Sequence, residues 1–304
     1  MKELQYVLLD VFTDKPFGGN QLAVFLHCDD LSGDKMQTIA KELNLSETVF
    51  LFPPNPQNSD FTLRIFTPRM ELPFAGHPTI GTAYLLGIMG LVPVKNGVTT
   101  ITLQEKIGAI PVELYSVDGQ IQKVNMAQPI PKIVEEGHNK KRVAELLSLS
   151  EEDIDQHLPI QSLSAGIPYL YIPVKSLDAM KRIRFRTDIW NESFAGSENN
   201  KHIFTFCLET ELKSTNVHSR MFAPAMGIVE DPATGSASGP LGYYLANHRI
   251  GEPIDETYYY VSEQGIEIGR PSLIEIMISK KGHETRDIKI GGTAVIIGEG
   301  VLRV

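Results

Sequence analysis

Two titratable side chains stand at the same place in two similar stretches of the sequence. His77 begins His77-Pro-Thr-Ile-Gly-Thr-Ala, and Asp231 begins Asp231-Pro-Ala-Thr-Gly-Ser-Ala. Proline is favoured at the first position of a helix, so each side chain is expected at or near a helix N-terminus. The free N–H groups and the positive end of the helix dipole favour a carboxylate or phosphate ligand there. The alternative is that both side chains merely cap their helices.

Small residues lie beside both titratable side chains. Gly76 and Gly81 lie on either side of His77, and Gly235 lies in the second stretch. Glycine has no Cβ, so a ligand or another backbone can approach these positions closely. Ser236 would add a hydroxyl group. The pattern therefore favours an anion site that uses both stretches.

Glu47 is the candidate acid/base. It occurs in Asn44-Leu-Ser-Glu-Thr-Val-Phe, after an amphipathic pattern and at the start of an apolar run. A carboxyl group in apolar surroundings has a raised pKa, which suits general acid/base catalysis near neutral pH. On spacing alone, a solvated or capping glutamate is the more common case.

An internal repeat indicates how these side chains are positioned. Arg64-Ile-Phe-Thr-Pro-Arg-Met and Arg220-Met-Phe-Ala-Pro-Ala-Met share Arg, Phe, Pro and Met at the same positions, 156 residues apart. The stretches that begin at His77 and Asp231 follow at an offset of 154 residues. Such a period is far too long for a solenoid and indicates two duplicated domains. We predict a boundary at 128/129, giving domains 1–128 and 129–304, and the sequence leaves open whether the last strand, about 293–304, returns to the first domain.

The secondary-structure patterns predict an α+β fold that is rich in strands. Amphipathic helices are expected at 35–43 and 141–149, and buried helices from Pro78 and from Thr234. Strands are expected at 7–12, 22–25, 48–52, 61–66, 99–103, 110–115, 169–174, 202–208, 258–261, 273–278 and 294–297. Each domain is therefore expected to be a curled, mainly antiparallel sheet around a central buried helix, and the two domains to be pseudo-symmetric. A cleft between two such domains would be a common place for a ligand.

The composition excludes several classes of protein. The chain has 304 residues, 42% of them hydrophobic, and a formal net charge of −9. We therefore expect a globular protein without affinity for nucleic acid. The longest apolar stretch is too short to span a membrane, and no signal peptide precedes the first strand, so a cytoplasmic location is expected. The two cysteines, Cys28 and Cys207, give no disulfide framework, and no metal or cofactor motif is present.

Several motifs in the same order resemble the PhzF family of phenazine-biosynthesis isomerases, which share the fold of diaminopimelate epimerase. The resemblance runs from end to end of the chain. The motifs that carry it are Asp10-Val-Phe-Thr-Asp-Lys-Pro-Phe-Gly-Gly-Asn, Asn44-Leu-Ser-Glu-Thr-Val-Phe, Arg64-Ile-Phe-Thr-Pro, Ala75-Gly-His-Pro-Thr, Glu230-Asp-Pro-Ala-Thr-Gly-Ser-Ala and Gly265-Ile-Glu-Ile-Gly-Arg-Pro-Ser.

The resemblance implies a role for each candidate residue. Glu47 would move a proton between two carbons of the substrate, which in the phenazine case is trans-2,3-dihydro-3-hydroxyanthranilate. His77 and Asp231 would orient the substrate and Glu47 and could assist the transfer. The residues that would hold the substrate are Asn20, Gly76, Gly235 and Ser236. The resemblance further implies a small carboxylate substrate, no cofactor and a homodimer.

Two other functions are compatible with such a scaffold. One is an epimerase or racemase that acts on a different carboxylate. The related epimerases use one cysteine per domain, and the corresponding stretches here contain His77 and Asp231 instead, which disfavours a two-thiol mechanism. The other is a ligand-binding protein that has lost turnover, against which the presence of Glu47, His77 and Asp231 argues.

Overall fold

The structure is a computed structural model, and it describes residues 2–54 and 59–304. The chain forms two compact units. The first contains the described residues up to Ala127 together with Ile290–Val304, and the second is Gln128–Lys289. The division at 127/128 lies one residue from the boundary at 128/129, and the segment that joins the first unit begins at Ile290 rather than at about 293.

The helices and strands follow one another in this order. The first unit contains β1 (Glu3–Val11), β2 (Asn20–Phe25), α1 (Gly33–Leu43), β3 (Glu47–Phe52), β4 (Phe61–Phe66), β5 (Glu71–Leu72), α2 (Gly76–Ile88), β6 (Gly97–Glu105), β7 (Gly108–Val117) and β8 (Gln120–Ala127). The second contains β9 (Lys132–Glu136), α3 (Lys140–Leu147), β10 (Gln161–Ser164), β11 (Pro168–Pro173), α4 (Leu177–Arg182), α5 (Thr187–Ser193), β12 (Ile203–Cys207), β13 (Val217–Ala223), β14 (Ile228–Asp231), α6 (Gly235–Asn247), β15 (Thr257–Gln264) and β16 (Ser272–Lys281). β17 (Glu284–Gly292) runs across the boundary between the units, and β18 (Ala294–Arg303) belongs to the first.

The two units repeat one pattern of strand pairing. In the first, the neighbours β18, β1, β2, β3, β4, β6 and β7 pair in turn as antiparallel, antiparallel, parallel, antiparallel, parallel and antiparallel. In the second, β9, β10, β11, β12, β13, β15 and β16 give the same series. Each unit also adds a short antiparallel strand, β5 or β14, just before its long buried helix. This series confirms the predicted α+β architecture of two duplicated, mainly antiparallel domains.

A helix that is buried almost all round lies at the centre of the first unit. α2 packs against β1, β2, β3, β6, β7, β8 and β18, as expected for a helix that is apolar on every face. Gly81 allows α2 to lie close to β1 and β2, because a Cβ there would lie 2.6 Å from side-chain carbons of both Val11 and Leu22. The sheet therefore fixes the axial position of α2, and with it the position of the residues at its first turn.

The second unit has the equivalent helix, α6. Tyr244 of this helix packs its ring 5.3 Å from that of Phe206 on β12, and α6 also contacts β15 and β16. The Tyr171 hydroxyl, from β11, donates to the backbone oxygen of Ala237 at 2.7 Å. Strands on several sides thus hold α6, as the repeat predicts.

The repeated Arg-x-Phe motif has the same local structure in both units. Arg64 forms a two-pronged ion pair with Glu71, and its guanidinium lies 5.2 Å from the centre of the Phe66 ring. Arg220 pairs in the same way with Glu230 and lies 5.3 Å from the ring of Phe222. In each unit the pair ties a long strand to the short strand that leads to the buried helix.

The start of α6 agrees with the predicted Thr234 to within one residue, whereas α2 starts two residues before the predicted Pro78. α2 begins at Gly76, so Pro78 is its third residue, and α6 begins at Gly235, three residues after Pro232. The N-cap residues are Ala75 and Thr234, so the alternative that His77 and Asp231 are the helix caps is wrong. Asp231 instead ends β14, and a short turn separates it from α6.

Candidate active site

Glu47, His77 and Asn20 meet in the interior of the first unit. Oε2 of Glu47 lies 3.2 Å from Nδ1 of His77, and Nδ2 of Asn20 lies 3.3 Å from the same nitrogen. The three residues are only 7%, 3% and 1% exposed. A carboxyl group, an imidazole and an amide therefore share one desolvated contact, which strengthens every electrostatic interaction between them.

Long-range pairing brings these residues together. Asn20 begins β2 and Glu47 begins β3, and the two strands pair in parallel, with Leu22 opposite Glu47. Asn44 ends α1 in the left-handed conformation, with φ 51° and its N–H bonded to Ala40 O, which redirects the chain into β3. His77 reaches the same place from the first turn of α2.

The loop before Asn20 is folded by a buried carboxylate. Asp10 lies at the end of β1, and its Oδ2 accepts the backbone N–H of Phe17 at 2.7 Å. This contact explains why an aspartate begins the first of the motifs named above. It sets the path of the loop that delivers Asn20 to the site.

His77 is held in its neutral form. Burial lowers the pKa of the imidazole to about 3, against the smaller opposing effect of a hydrogen bond with the backbone of Gln21. A neutral imidazole carries one hydrogen on its two nitrogens, so Nδ1 can either accept or donate a hydrogen bond. The Nδ2 of Asn20 can only donate, which favours a lone pair rather than a hydrogen on Nδ1 of His77.

Asp231 lies in a separate polar network in the second unit. Its Oδ2 accepts from Thr234 Oγ1 at 2.6 Å, and its backbone oxygen accepts from Gln264 Nε2 at 2.8 Å. Oε1 of Gln264 also accepts the backbone N–H of Thr234 at 3.1 Å. Thr234 and Gln264 were not predicted as site residues, although both lie in or beside the quoted motifs.

Gly265 explains how Gln264 reaches that network. Its φ is +77°, and a Cβ at this position would lie 2.6 Å from the backbone oxygen of Pro232. Only glycine fits a left-handed backbone that presses against another chain segment in this way. Its contact with Pro232 places Gln264 beside the turn that connects Asp231 to α6.

The remaining candidates lie at the first turns of the two buried helices. Gly76 is the first residue of α2 and precedes His77. Gly235 is the first residue of α6, and its backbone oxygen accepts from Gln128 Nε2 at 3.0 Å. The hydroxyl of Ser236 lies 2.8 Å from that of Tyr169. Of the predicted residues, Glu47, His77, Asn20 and Gly76 thus cluster in the first unit, whereas Asp231, Gly235 and Ser236 lie together in the second.

The described residues, 2–54 and 59–304, contain no group of three or more His, Cys, Asp or Glu side chains arranged to hold a metal ion. Within the same residues, no helix has both the length and the apolar character that a transmembrane helix requires.

Comparison with known proteins assigns the family. The model of the phenazine biosynthesis-like protein family matches residues 9–300. The chain is 35% identical over 306 residues to the trans-2,3-dihydro-3-hydroxyanthranilate isomerase of Pseudomonas aeruginosa, covering 97% of this chain and 98% of that enzyme. It matches the crystal structure of a PhzF-family phenazine biosynthesis protein from Bacillus anthracis with a TM-score of 0.89 and 30% identity, over 100% of both chains.

A more distant likeness defines the fold. A hydroxyproline epimerase from Agrobacterium vitis matches with a TM-score of 0.68 at 11% identity, over 99% of this chain and 91% of that one. The duplicated fold and the sequence matches together identify the protein as an isomerase. The chain belongs to the phenazine biosynthesis-like, or PhzF, family.

Proposed function

We propose that the protein isomerises a small carboxylate substrate without a cofactor, with Glu47 as the single acid/base. The observation that carries the proposal is the buried contact between Glu47 Oε2 and His77 Nδ1 at 3.2 Å. In this proposal the carboxyl group of Glu47, buried beside a neutral histidine, gives up and takes back the proton.

The reaction balances with one shuttling proton. The neutral Glu47 gives its proton to one carbon of an unsaturated substrate while the double bond shifts, and the resulting carboxylate removes a proton from a second carbon. No electron leaves or enters the substrate, so the reaction needs no redox partner. The neutral imidazole of His77, 3.2 Å from Glu47 Oε2, positions this carboxyl group for both steps.

The substrate is expected to be an anion. Each unit places glycine at the first position of a buried helix, Gly76 in α2 and Gly235 in α6. Free N–H groups at such positions favour a carboxylate. In this proposal Asn20 and Ser236 add side-chain hydrogen bonds, and Asp231 orients the substrate. The enzyme acts in the cytoplasm, as expected from the sequence, and as the homodimer that the resemblance implies.

A mechanism with two thiols is not supported. Burial raises the pKa of Cys28 and of Cys207 to about 12, and each thiol donates to a backbone oxygen, that of Phe25 or of Glu209. The thiolate is the reactive form, and it is scarce at neutral pH for such groups. This favours one carboxyl group over a pair of cysteines.

The test is proton exchange. Wild type, Glu47→Gln and the matched exposed variant Glu42→Gln are incubated in deuterated water with trans-2,3-dihydro-3-hydroxyanthranilate and a panel of small unsaturated carboxylates. We expect NMR to show deuterium uptake with wild type and Glu42→Gln, and a loss of at least about 100-fold with Glu47→Gln. Uptake that survives in folded Glu47→Gln removes Glu47 from the role, and inversion at one carbon without a double-bond shift identifies an epimerase.

A further inference from the structure

A second buried carboxyl group lies close to the first turn of α2. Glu105 ends β6 and is 3% exposed, yet the proposed proton transfer does not use it. Its Oε1 contacts the hydroxyl of Thr79 in the first turn of α2. Its Oε2 is buried and has no hydrogen-bond partner among residues 2–54 and 59–304. An ionised carboxylate with one such oxygen would be costly.

Counting hydrogens shows which group donates in this contact. The hydroxyl of Thr79 carries one hydrogen, but two acceptors lie within reach of it: the backbone oxygen of Ala75, at 2.6 Å, and Oε1 of Glu105. A threonine in a helix commonly donates to the backbone oxygen four residues earlier. If it does so here, the hydrogen between Thr79 and Glu105 must belong to Glu105. In that arrangement Glu105 is a neutral carboxylic acid.

The electrostatic surroundings agree with a neutral Glu105. Burial raises the pKa of this carboxyl group to about 8, which outweighs the opposing effects of the Thr79 hydroxyl and the Ala75 backbone. Glu105 lines a cavity whose other charged residues are Arg64, Glu71 and Lys106. Arg64 and Glu71 pair with each other at 2.7 Å, and His77 on α2 is neutral. Lys106 is the remaining positive charge, but its side chain is exposed to solvent, and burial is the largest influence on the pKa of Glu105.

The residues that Glu105 holds enclose the candidate catalytic histidine. Gly76 and His77 lie between Ala75 and Thr79, and Ala75, the N-cap, makes no side-chain capping bond. The first turn of α2 thus depends on a side chain from β6. We propose that Glu105 is a positioning residue: as a neutral acid it donates to Thr79 and so fixes the first turn of α2, and with it the His77 ring, against Glu47.

The proposal rests on the proposed role of His77 and makes a definite statement about alkaline pH. When Glu105 loses its proton, the hydroxyl of Thr79 turns to donate to the carboxylate and releases the backbone oxygen of Ala75. The turn that carries His77 is then free to shift. The ionisation of a side chain on β6 is transmitted to the proton-transfer site through one hydroxyl group.

The first experiment does not depend on turnover. Infrared difference spectra of wild type minus Glu105→Gln are taken from about pH 6 to about pH 10, together with the ring nitrogen shifts of His77 by NMR, assigned with His77→Gln. We expect a protonated-carboxyl band at about pH 7 that disappears as the pH rises past about 8, and a parallel change in the His77 shifts. Thr79→Val should keep the band but uncouple the His77 shifts from it.

Two results would overturn the proposal. If the protonated-carboxyl band is absent at about pH 7, Glu105 is ionised and the hydrogen count is wrong. If the band titrates while the His77 shifts stay constant, Glu105 is structural only. Both results stand whether or not a substrate is known.

The second experiment uses deuterium uptake as a function of pH. With a pKa of about 8, the neutral fraction of Glu105 at pH 9 is roughly a tenth, so wild type should retain roughly a tenth of its rate there. Glu105→Ala should lower the rate at every pH, and Glu105→Gln, whose amide offers an N–H donor group and an acceptor oxygen in place of those of the neutral acid, should restore it without the alkaline fall. An identical alkaline fall in Glu105→Gln refutes the positioning role, whereas no uptake by any variant counts against the proposed function and leaves the spectroscopic result intact.

Discussion

Replacement of Glu105 by glutamine should change how the stability of the fold depends on pH. The pKa of Glu105 rises from 4.5 to about 8 on folding. A carboxyl group with a raised pKa contributes stability below pH 4.5 and loses it as the pH rises to about 8, because the unfolded chain releases the proton first. The free energy of unfolding of Glu105→Gln minus that of wild type should therefore rise by about 1.4 kcal/mol per pH unit across this interval. At higher pH the difference should stay constant. The total is about 5 kcal/mol.

The measurement is urea unfolding of both proteins at several pH values between about 4 and 9. The slope of the difference is the decisive quantity, since a constant offset from the substitution does not affect it. Glu71→Gln is the control of opposite sign, because the hydrogen bond from Arg64 lowers the pKa of Glu71. The stability that Glu71→Gln loses relative to wild type should become smaller as the pH falls. A difference between Glu105→Gln and wild type that is flat from pH 5 to pH 8 would show that Glu105 is ionised in the folded protein.

Three further predictions concern stability. Wild type should lose about 1.4 kcal/mol of unfolding free energy per pH unit as the pH falls from 6.5 to about 3, because His77 takes up a proton in the unfolded chain but stays neutral in the folded one. His77→Gln should remove this loss, which urea unfolding at about pH 4 and pH 7 tests. Glu230→Gln should lower the free energy of unfolding by about 3 kcal/mol, because the side chains of Arg220 and Glu230 are only 7% and 9% exposed. Glu71→Gln should lower it by about 1 kcal/mol or less, because the side chains of Arg64 and Glu71 are 34% and 23% exposed. Equal losses in denaturant unfolding would contradict the role of burial. Gly81→Ala should overpack the core, lower the free energy of unfolding by about 1–3 kcal/mol and so lower the melting temperature. Gly196→Ala, where a Cβ meets nothing within 4 Å, should leave the melting temperature unchanged.

Much of the fold was predictable because its elements carry simple patterns. α1 and α3 present apolar residues at helical spacing, and the structure places them at Gly33–Leu43 and Lys140–Leu147. α2 and α6 are apolar all round and are buried. The duplicated motifs predicted two similar units, and the series of strand pairings confirms that prediction.

The elements that were missed are those whose local sequence is ambiguous. β13 contains His218, Ser219 and Arg220 in a row, yet all seven of its residues are buried. His218 is enclosed by two carboxyl groups, those of Glu263 and Glu267, each at 2.8 Å. Because the partners that satisfy these polar groups come from distant strands, no alternation of apolar residues marks the strand. α4 and α5 have only six and seven residues, too few for a helical period to stand out.

The site was predictable as a set of residues but not as a geometry. The titratable groups and the glycines could be named from motifs, whereas the 3.2 Å contact of Glu47 with His77 depends on the parallel pairing of β2 with β3 and on the packing of α2. Likewise, Gln264 lies 30 residues after Thr234, and only the close approach of Gly265 to Pro232 brings the two together. Such contacts follow from tertiary structure, which local patterns do not encode.

The order in which the strands are made has a consequence for synthesis on the ribosome. β1 pairs with β18 along its whole length, but the two strands are separated by nearly the entire chain. At about 5–20 residues per second, β1 waits roughly 15–60 s for this partner while the second unit is completed. During that time one edge of β1 presents unpaired backbone groups, which are a template for association with other chains. Of the two units, the one that emerges first is therefore finished last, and a chaperone that covers β1 would act as soon as this strand leaves the ribosome.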